Sequence, residues 1–422
     1  MPYPLMRRFT RDLSGPREAD PAAAVARELD AMDPDVAAGQ SVALAVGSRG
    51  IANLRAVVEA AIGWLRGRGA EPFLLPAMGS HGGATAKGQA RVLAGYGLTE
   101  ASLGVPVRAS MATRVVGRSA LGFDVHVSAE ALDADRVLLV NRVKPHTNFA
   151  GPVESGLHKM LLIGLGKKDG TEIYHRAMQT LSFPEVVADA APRVAEAAGV
   201  VGGLAILENG LDETARVVGV RADRMADEEP PLLEEARRLM PGLPLADVDL
   251  LIVDRIGKNV SGSGMDTNVI GRKFADHVPP HGQPGEGRDA ARCLRILARG
   301  LTPETEGNAY GLGLAEFTTR RLADAVDWRK TAVNVLTAGH PTAGMCPLVF
   351  ETDRAAVDAA LGTIGLKEPR EARVLRIADT LRLAAFEASE ATWRDLVDCR
   401  AGGEPIEMRF DADGTLPDVE AA

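Results

Sequence analysis

The sequence predicts an α/β protein of two domains, each with a mostly parallel sheet flanked by helices, and an active-site cleft between them. Three observations predict it. At 422 residues the chain is too long for one hydrophobic core. Between 41 and 207, short apolar runs alternate with segments of helical periodicity, as in right-handed βαβ units. Past a Pro-rich stretch the same pattern restarts at Asp249. The expected N-terminal domain is 1–244, and 245–400 is a second α/β domain closing the cleft. The tail 401–422 is expected to pack on the first.

Residues 1–40 are a lead-in with a helix over 22–32. Ser41–Val46 is a first strand, and Gly47-Ser48-Arg49-Gly50 turns at its C-terminal end. Leu54, Val57, Val58, Ala61, Ile62 and Leu65 keep the spacing of one buried helical stripe. Asn53 is placed to cap that helix and 67–69 to end it. A strand over 72–76 runs into Met78-Gly-Ser-His81-Gly-Gly, then a helix near 87–95. Residues 135–141 are a buried strand that opens into Lys144-Pro145-His146. Glycines at 156, 164, 166 and 170 make 155–170 poor material for one long helix and suit backbone wrapped around a bound group. Residues 200–207 are a further strand, and 228–231 with 241–244 a linker. Beyond it come a strand at 249–254, the glycine-rich loop 257–268, helices near 290–299 and 315–325, a strand at 333–336 and a strand-turn pattern over 406–416.

Acidic residues outnumber basic ones 57 to 48, for a net charge of −9, and no basic block stands out, which argues against nucleic acid. Aromatics are only 4%, too few for stacking platforms. Cys293, Cys346 and Cys399 are odd in number and far apart, so reduced thiols in the cytoplasm are expected rather than a zinc ribbon or disulfide framework. No window approaches the ~18 apolar residues of a membrane span.

Arg49, His81 and His146 each follow a strand and share one rim of the predicted sheet, where open α/β folds place their chemistry. His81, between glycines, is exposed either to a ligand or to cap the next helix. His146 is otherwise a surface loop histidine. Arg49 is a turn arginine or a fork for a carboxylate. Taken singly, Lys159 reads as a solvated lysine and His175 as a helix-surface histidine; His158 is a core or loop residue. The loop 257–268 is either an anion cradle or a connector, and Asp124 with His126 is structural. GxGxxG is absent after the first strand, which disfavours a dinucleotide-binding dehydrogenase.

As an ordered set, Arg49, Gly79-Ser-His81, Pro145-His146, Phe149-Ala-Gly151, Ser155-Gly-Leu-His-Lys159 and His175 resemble the nickel-pincer-dependent lactate racemase family of 2-hydroxyacid racemases and epimerases. The resemblance implies that Lys159 tethers a nickel-pincer nucleotide, a nickel pyridinium-3,5-bisthiocarboxylic acid mononucleotide. Ser155, Gly156, Gly166 and Lys168 would help to bind it, and His175 would ligate the metal. His81 and His146 would be the acid/base pair on either face of the substrate carbon, with Arg49 and, from the second domain, Arg272 or Lys273 on the substrate. Partners implied are a small 2-hydroxy acid and the enzymes that mature the cofactor, with neither nucleic acid nor membrane; homo-oligomerisation stays open. Val46 stands where the family usually has aspartate and His158 where arginine is common. His146 and Lys159 are thirteen apart, a few more than in the family's type member. A divergent subgroup is therefore expected.

Two other classes compete. One is a metal-assisted lyase or hydrolase with His81, His146 and His175 as direct ligands. The other is a non-catalytic binder of sugar acids or nucleotides.

Overall fold

The computed structural model describes residues 2–48, 50–273 and 291–417. The chain divides into two compact units, 14–240 and a second made of 1–13 with 241–422.

In the 14–240 unit, five strands lie in the order Glu71–Pro76, Ser41–Val46, Arg136–Arg142, Val200–Glu208, Thr214–Arg221. The first three pairings are parallel and the last is antiparallel. Strand residues alternate between two cores. Val42, Leu44, Leu138 and Val140 face the helices Pro21–Met32 and Leu54–Gly67, while Ala43, Ala45, Val137 and Leu139 face the helices Phe183–Ala197 and Met225–Leu239. A parallel sheet covered on both faces is what the near-continuous apolar runs demanded. Because Val46 is level with Pro76 and Val140, the loops after these three strands leave from one rim.

The second unit holds an eight-stranded sheet in the order Leu348–Phe350, Phe317–Thr319, Arg292–Ala298, Asp247–Val253, Val374–Ile377, Ala385–Ser389, Leu5–Arg11, Cys399–Glu407. The first five strands are parallel and the rest antiparallel. The two-domain α/β expectation holds at this level.

Several expectations are corrected. The chain divides at Met240, and the first thirteen residues join the C-terminal unit because Leu5–Arg11 pairs on both sides within its sheet. For the same reason the tail lies in that sheet rather than on the N-terminal unit; 418–422 fall outside the described residues. Residues 228–231 belong to the helix Met225–Leu239, which carries Pro230 and Pro231 inside it, past the first turn whose amide donors need no partner. The segment expected as a helix at 290–299 is the strand Arg292–Ala298, and that expected as a strand at 333–336 lies in the helix Trp328–Ala338. Asn53 adopts φ 56° and makes no side-chain cap; its amide donates to Thr214 Oγ1 at 3.0 Å instead.

Candidate active site

After Arg142 the chain forms a short loop that Glu154 gathers from inside. That carboxylate is buried and accepts from the backbone N–H groups of His146 (2.6 Å) and Gly151 (3.3 Å) and from Arg237 Nη2 (2.7 Å). Pairing of Lys144 with Ser155 closes the base of the loop. His146 Nδ1 accepts from the backbone N–H groups of Asn148 (3.0 Å) and Phe149 (3.1 Å). With that lone pair used, the proton of the neutral ring sits on Nε2.

Phe149 is the hub. It is buried, and the His146 ring stacks on it with centroids 4.0 Å apart and planes 12° from parallel. Phe183 stacks on it at 4.5 Å, the His175 ring lies 6.2 Å away, and Lys159 Nζ is 5.6 Å from its centroid. Residues 146, 159 and 175, distant in sequence, are thus drawn around one apolar ring. Asn148 Oδ1, beside it in the chain, is buried with no hydrogen-bond partner among the described residues.

The residue before Lys159 is fixed from the neighbouring helix. His158 is buried, its Nδ1 2.6 Å from Glu229 Oε2, and the same oxygen accepts from the His158 backbone N–H at 3.0 Å. Glu229 fills the space beside Gly156 so closely that any Cβ there would overlap its Oε1. The backbone then runs through one π-helical turn, Met160–Gly164, with Leu165 N–H donating to Met160 O at 2.9 Å, into the helix Lys167–Ala177 that carries His175.

His81 sits on the same rim. Its Nδ1 is hydrogen-bonded to Ser48 Oγ, and Ser48 O accepts from Tyr96 Oη at 2.5 Å. The loop before it rests on the π-helical segment: a Cβ at Gly79, whose φ is +59°, would come within 2.7 Å of Thr171 Oγ1 and 3.1 Å of Ile163 Cγ2. Both imidazole loops therefore pack on one continuous stretch of chain, residues 157–177.

Other expected residues fall variously. Arg49 lies outside the described residues. The glycines expected to wrap a ligand also sit in tight packing contacts. A Cβ at Gly166 would meet Leu162 O at 2.3 Å and Tyr174 Cε2 at 3.1 Å, and one at Gly164 would meet Ala77 O at 2.8 Å. Lys168 is exposed and pairs with Glu172 at 3.7 Å. The neighbouring Lys167 is the buried one. Its Nζ donates to Pro76 O (2.5 Å) and Gln89 Oε1 (3.2 Å), and burial lowers its pKa from 10.5 to about 8. Nothing in residue type separates these adjacent lysines; only the backbone does, with φ +53° at Lys167.

In the C-terminal unit, Arg272 is committed to structure. Nη1 donates to Leu314 O (2.8 Å) and Glu316 Oε1 (2.6 Å), and Nη2 to Cys293 O (2.7 Å) and Leu294 O (3.1 Å). This corrects its expected place on the substrate, because its terminal nitrogens already serve four acceptors. Lys273 Nζ donates to Thr267 Oγ1 (3.3 Å) and Asn268 Oδ1 (3.2 Å). The loop 257–268 is tightly packed rather than a loose connector, since Gly257 and Gly264 both abut Thr302 or Tyr310 too closely for a Cβ.

Among the described residues no group of three or more His, Cys, Asp or Glu could hold a metal, so His81, His146 and His175 do not form a direct ligand set. No helix of the described residues is long and apolar enough to cross a membrane.

Fold and site together define an α/β protein with histidine-bearing loops on the C-terminal rim of a parallel sheet. Residues 35–183 match the family model described as the lactate racemase N-terminal domain. The chain's fold is similar to that of the lactate racemase apoprotein from Thermoanaerobacterium thermosaccharolyticum, with TM-score 0.54 and 11% identity over 88% of this chain and 93% of that one. No curated protein matches the chain.

Proposed function

We propose that the protein is an isomerase, a racemase or epimerase of a 2-hydroxy acid, working with a nickel-pincer nucleotide held by Lys159 and His175. The observation that carries this reading is the convergence on Phe149 of His146, His175 and the Lys159 amine. An amine suited to a covalent tether, an imidazole suited to nickel and the orphaned acceptor Asn148 Oδ1 are groups of the right kinds to hold that nucleotide. When bound, it would supply an acceptor for the C2 hydrogen as hydride, avoiding removal of a scarcely acidic proton.

The chain's own task is to manage the hydroxyl proton and the oxygen. His146, with Nδ1 occupied by two amides, presents Nε2–H as a donor to the substrate oxygen as it becomes a carbonyl. His81, if its Nδ1–H donates to Ser48 Oγ, offers Nε2 as the base that takes the hydroxyl proton. The reverse assignment, needed for the opposite face, requires His146 to release its two amides. The imidazoles are thus unequal at rest. Arg49, just after Ser48, remains the proposed carboxylate grip. The substrate is a small molecule, and the enzymes that build the cofactor are the partners this reading requires.

The test is racemisation in deuterium oxide by protein made together with the cofactor's maturation enzymes, followed by chiral chromatography and mass spectrometry. We expect inversion with the original C2 hydrogen retained, nickel in the protein, and an adduct mass lost in Lys159→Ala. His146→Ala should abolish inversion while leaving the adduct. Solvent deuterium at C2, or undiminished turnover in Lys159→Ala, would sink the reading.

A further inference from the structure

The loop that carries His81 is gripped from beneath by a side chain outside the proposed chemistry. Gln89 is fully buried in the helix Ala86–Gly95. Its Nε2 donates to Gly79 O at 2.7 Å and to His81 O at 3.4 Å, so one amide group spans the turn presenting the imidazole. Its Oε1 accepts from Lys167 Nζ at 3.2 Å. Only this orientation satisfies both ends, since an ammonium can only donate and a carbonyl can only accept.

Lys167 is an expensive residue to bury, and its Nζ hydrogen bonds go to the His81 side: Pro76 O, where the strand ends, and Gln89. It also opens the helix Lys167–Ala177, two turns before His175. The contact surfaces leave no slack. Gly82 and Gly88 abut backbone to backbone, with no room for a Cβ on either. A tightly packed loop with a polar clamp beneath it has one resting position.

We infer that Gln89 is a positioning residue for His81, anchored by Lys167, so that one buried relay sets both the His81 loop and the start of the helix bearing His175. The inference rests on His81 being the acid/base group proposed above, but the clamp can be tested without turnover. Gln89→Glu separates its two arms. A carboxylate keeps an acceptor for the Lys167 ammonium, so the anchor survives, but it cannot donate to the carbonyls of Gly79 and His81.

The full-length chain, with histidine ring carbons labelled, reports the imidazole titrations by NMR, and hydrogen exchange reports the backbone. Loss of the two donated bonds should speed exchange of amides 79–84 by about tenfold and move the His81 titration, with His158 unchanged. In cofactor-loaded protein kcat should fall about tenfold or more while KM changes little, as expected when an acid/base group is misplaced rather than substrate binding lost. Gln89→Met, which removes both arms, serves if the glutamate variant fails to fold, and should show the same loosening. Exchange at 79–84 and a His81 titration within about twofold of wild type in a folded variant would overturn the inference. A wild-type protein without turnover, but with Gln89→Glu loosening the loop, would instead sink the racemase reading and leave the clamp standing.

Discussion

At the scale of single residues, the site depends on groups that never face a ligand. Glu154 is the plainest. One carboxylate accepts from the His146 and Gly151 amides and from Arg237, with its side chain fully buried. Replacing it with alanine takes away the buried partner of Arg237, leaving it Gly151 O and Glu234, and frees the loop. The expected loss is about 3 kcal/mol, as for other broken buried pairs, read from urea unfolding of the 14–240 unit. Hydrogen exchange at the His146 amide should rise with it; an unaltered midpoint would show that Arg237 finds water at no cost. The grouping of His146, Lys159 and His175 was foreshadowed in sequence, because ordered motifs resembling those of lactate racemases set these residues apart. Glu154, Gln89 and Lys167 were not. A glutamate eight residues beyond a histidine, or one of two adjacent lysines, carries no local signal until the loop folds back on itself.

At the scale of elements, strands such as Ser41–Val46 and Arg136–Arg142 were legible because both faces are buried and their apolar runs are unbroken. Arg292–Ala298 was not. Its charged residues, Arg292 and Arg295, interrupt the run at a spacing that suits a helix, and the strand exists because Asp247–Val253 and Phe317–Thr319 pair with it. The helix Met225–Leu239 hid behind two prolines for the opposite reason: tertiary packing of Leu232, Leu233 and Ala236 overrides the local signal. That helix also delivers Glu229 against Gly156. Gly156→Ala should therefore cost about 2 kcal/mol, because the new methyl displaces the carboxylate that holds His158. The costs should not add. On the Gly156→Ala background, Glu229→Ala should be milder than in wild type by about 1 kcal/mol, since it removes the clash. Strict additivity in the double-mutant cycle would mean that the methyl is accommodated elsewhere.

At the scale of the whole molecule, buried titratable groups give the two units opposite responses to alkali. Lys167 belongs to 14–240, and burial lowers its pKa from 10.5 to about 8. Between those values the unfolded chain holds the proton that the folded unit has released, so stability rises with pH, by up to about 3 kcal/mol across the window. Tyr174 in the same unit is raised by burial from 10.0 to about 12, so above 10 the unfolded chain loses a proton that the fold retains, and stability turns down. Cys293 lies in the other unit, raised by burial from 9.0 to about 12, and its contribution is lost steadily over that interval. The tryptophans allow each response to be read separately. Trp64 reports on 14–240, and Trp328 with Trp393 on the other unit. In a chain with Trp328 and Trp393 replaced by phenylalanine, the urea midpoint should climb from pH 8 to 10, and Lys167→Met should flatten the climb. In Trp64→Phe the midpoint should fall from pH 9 upward, and Cys293→Ala should reduce the fall. Midpoints that move together, in the same direction and by the same amount, would mean that the units do not unfold as separate bodies and that neither buried group governs its own.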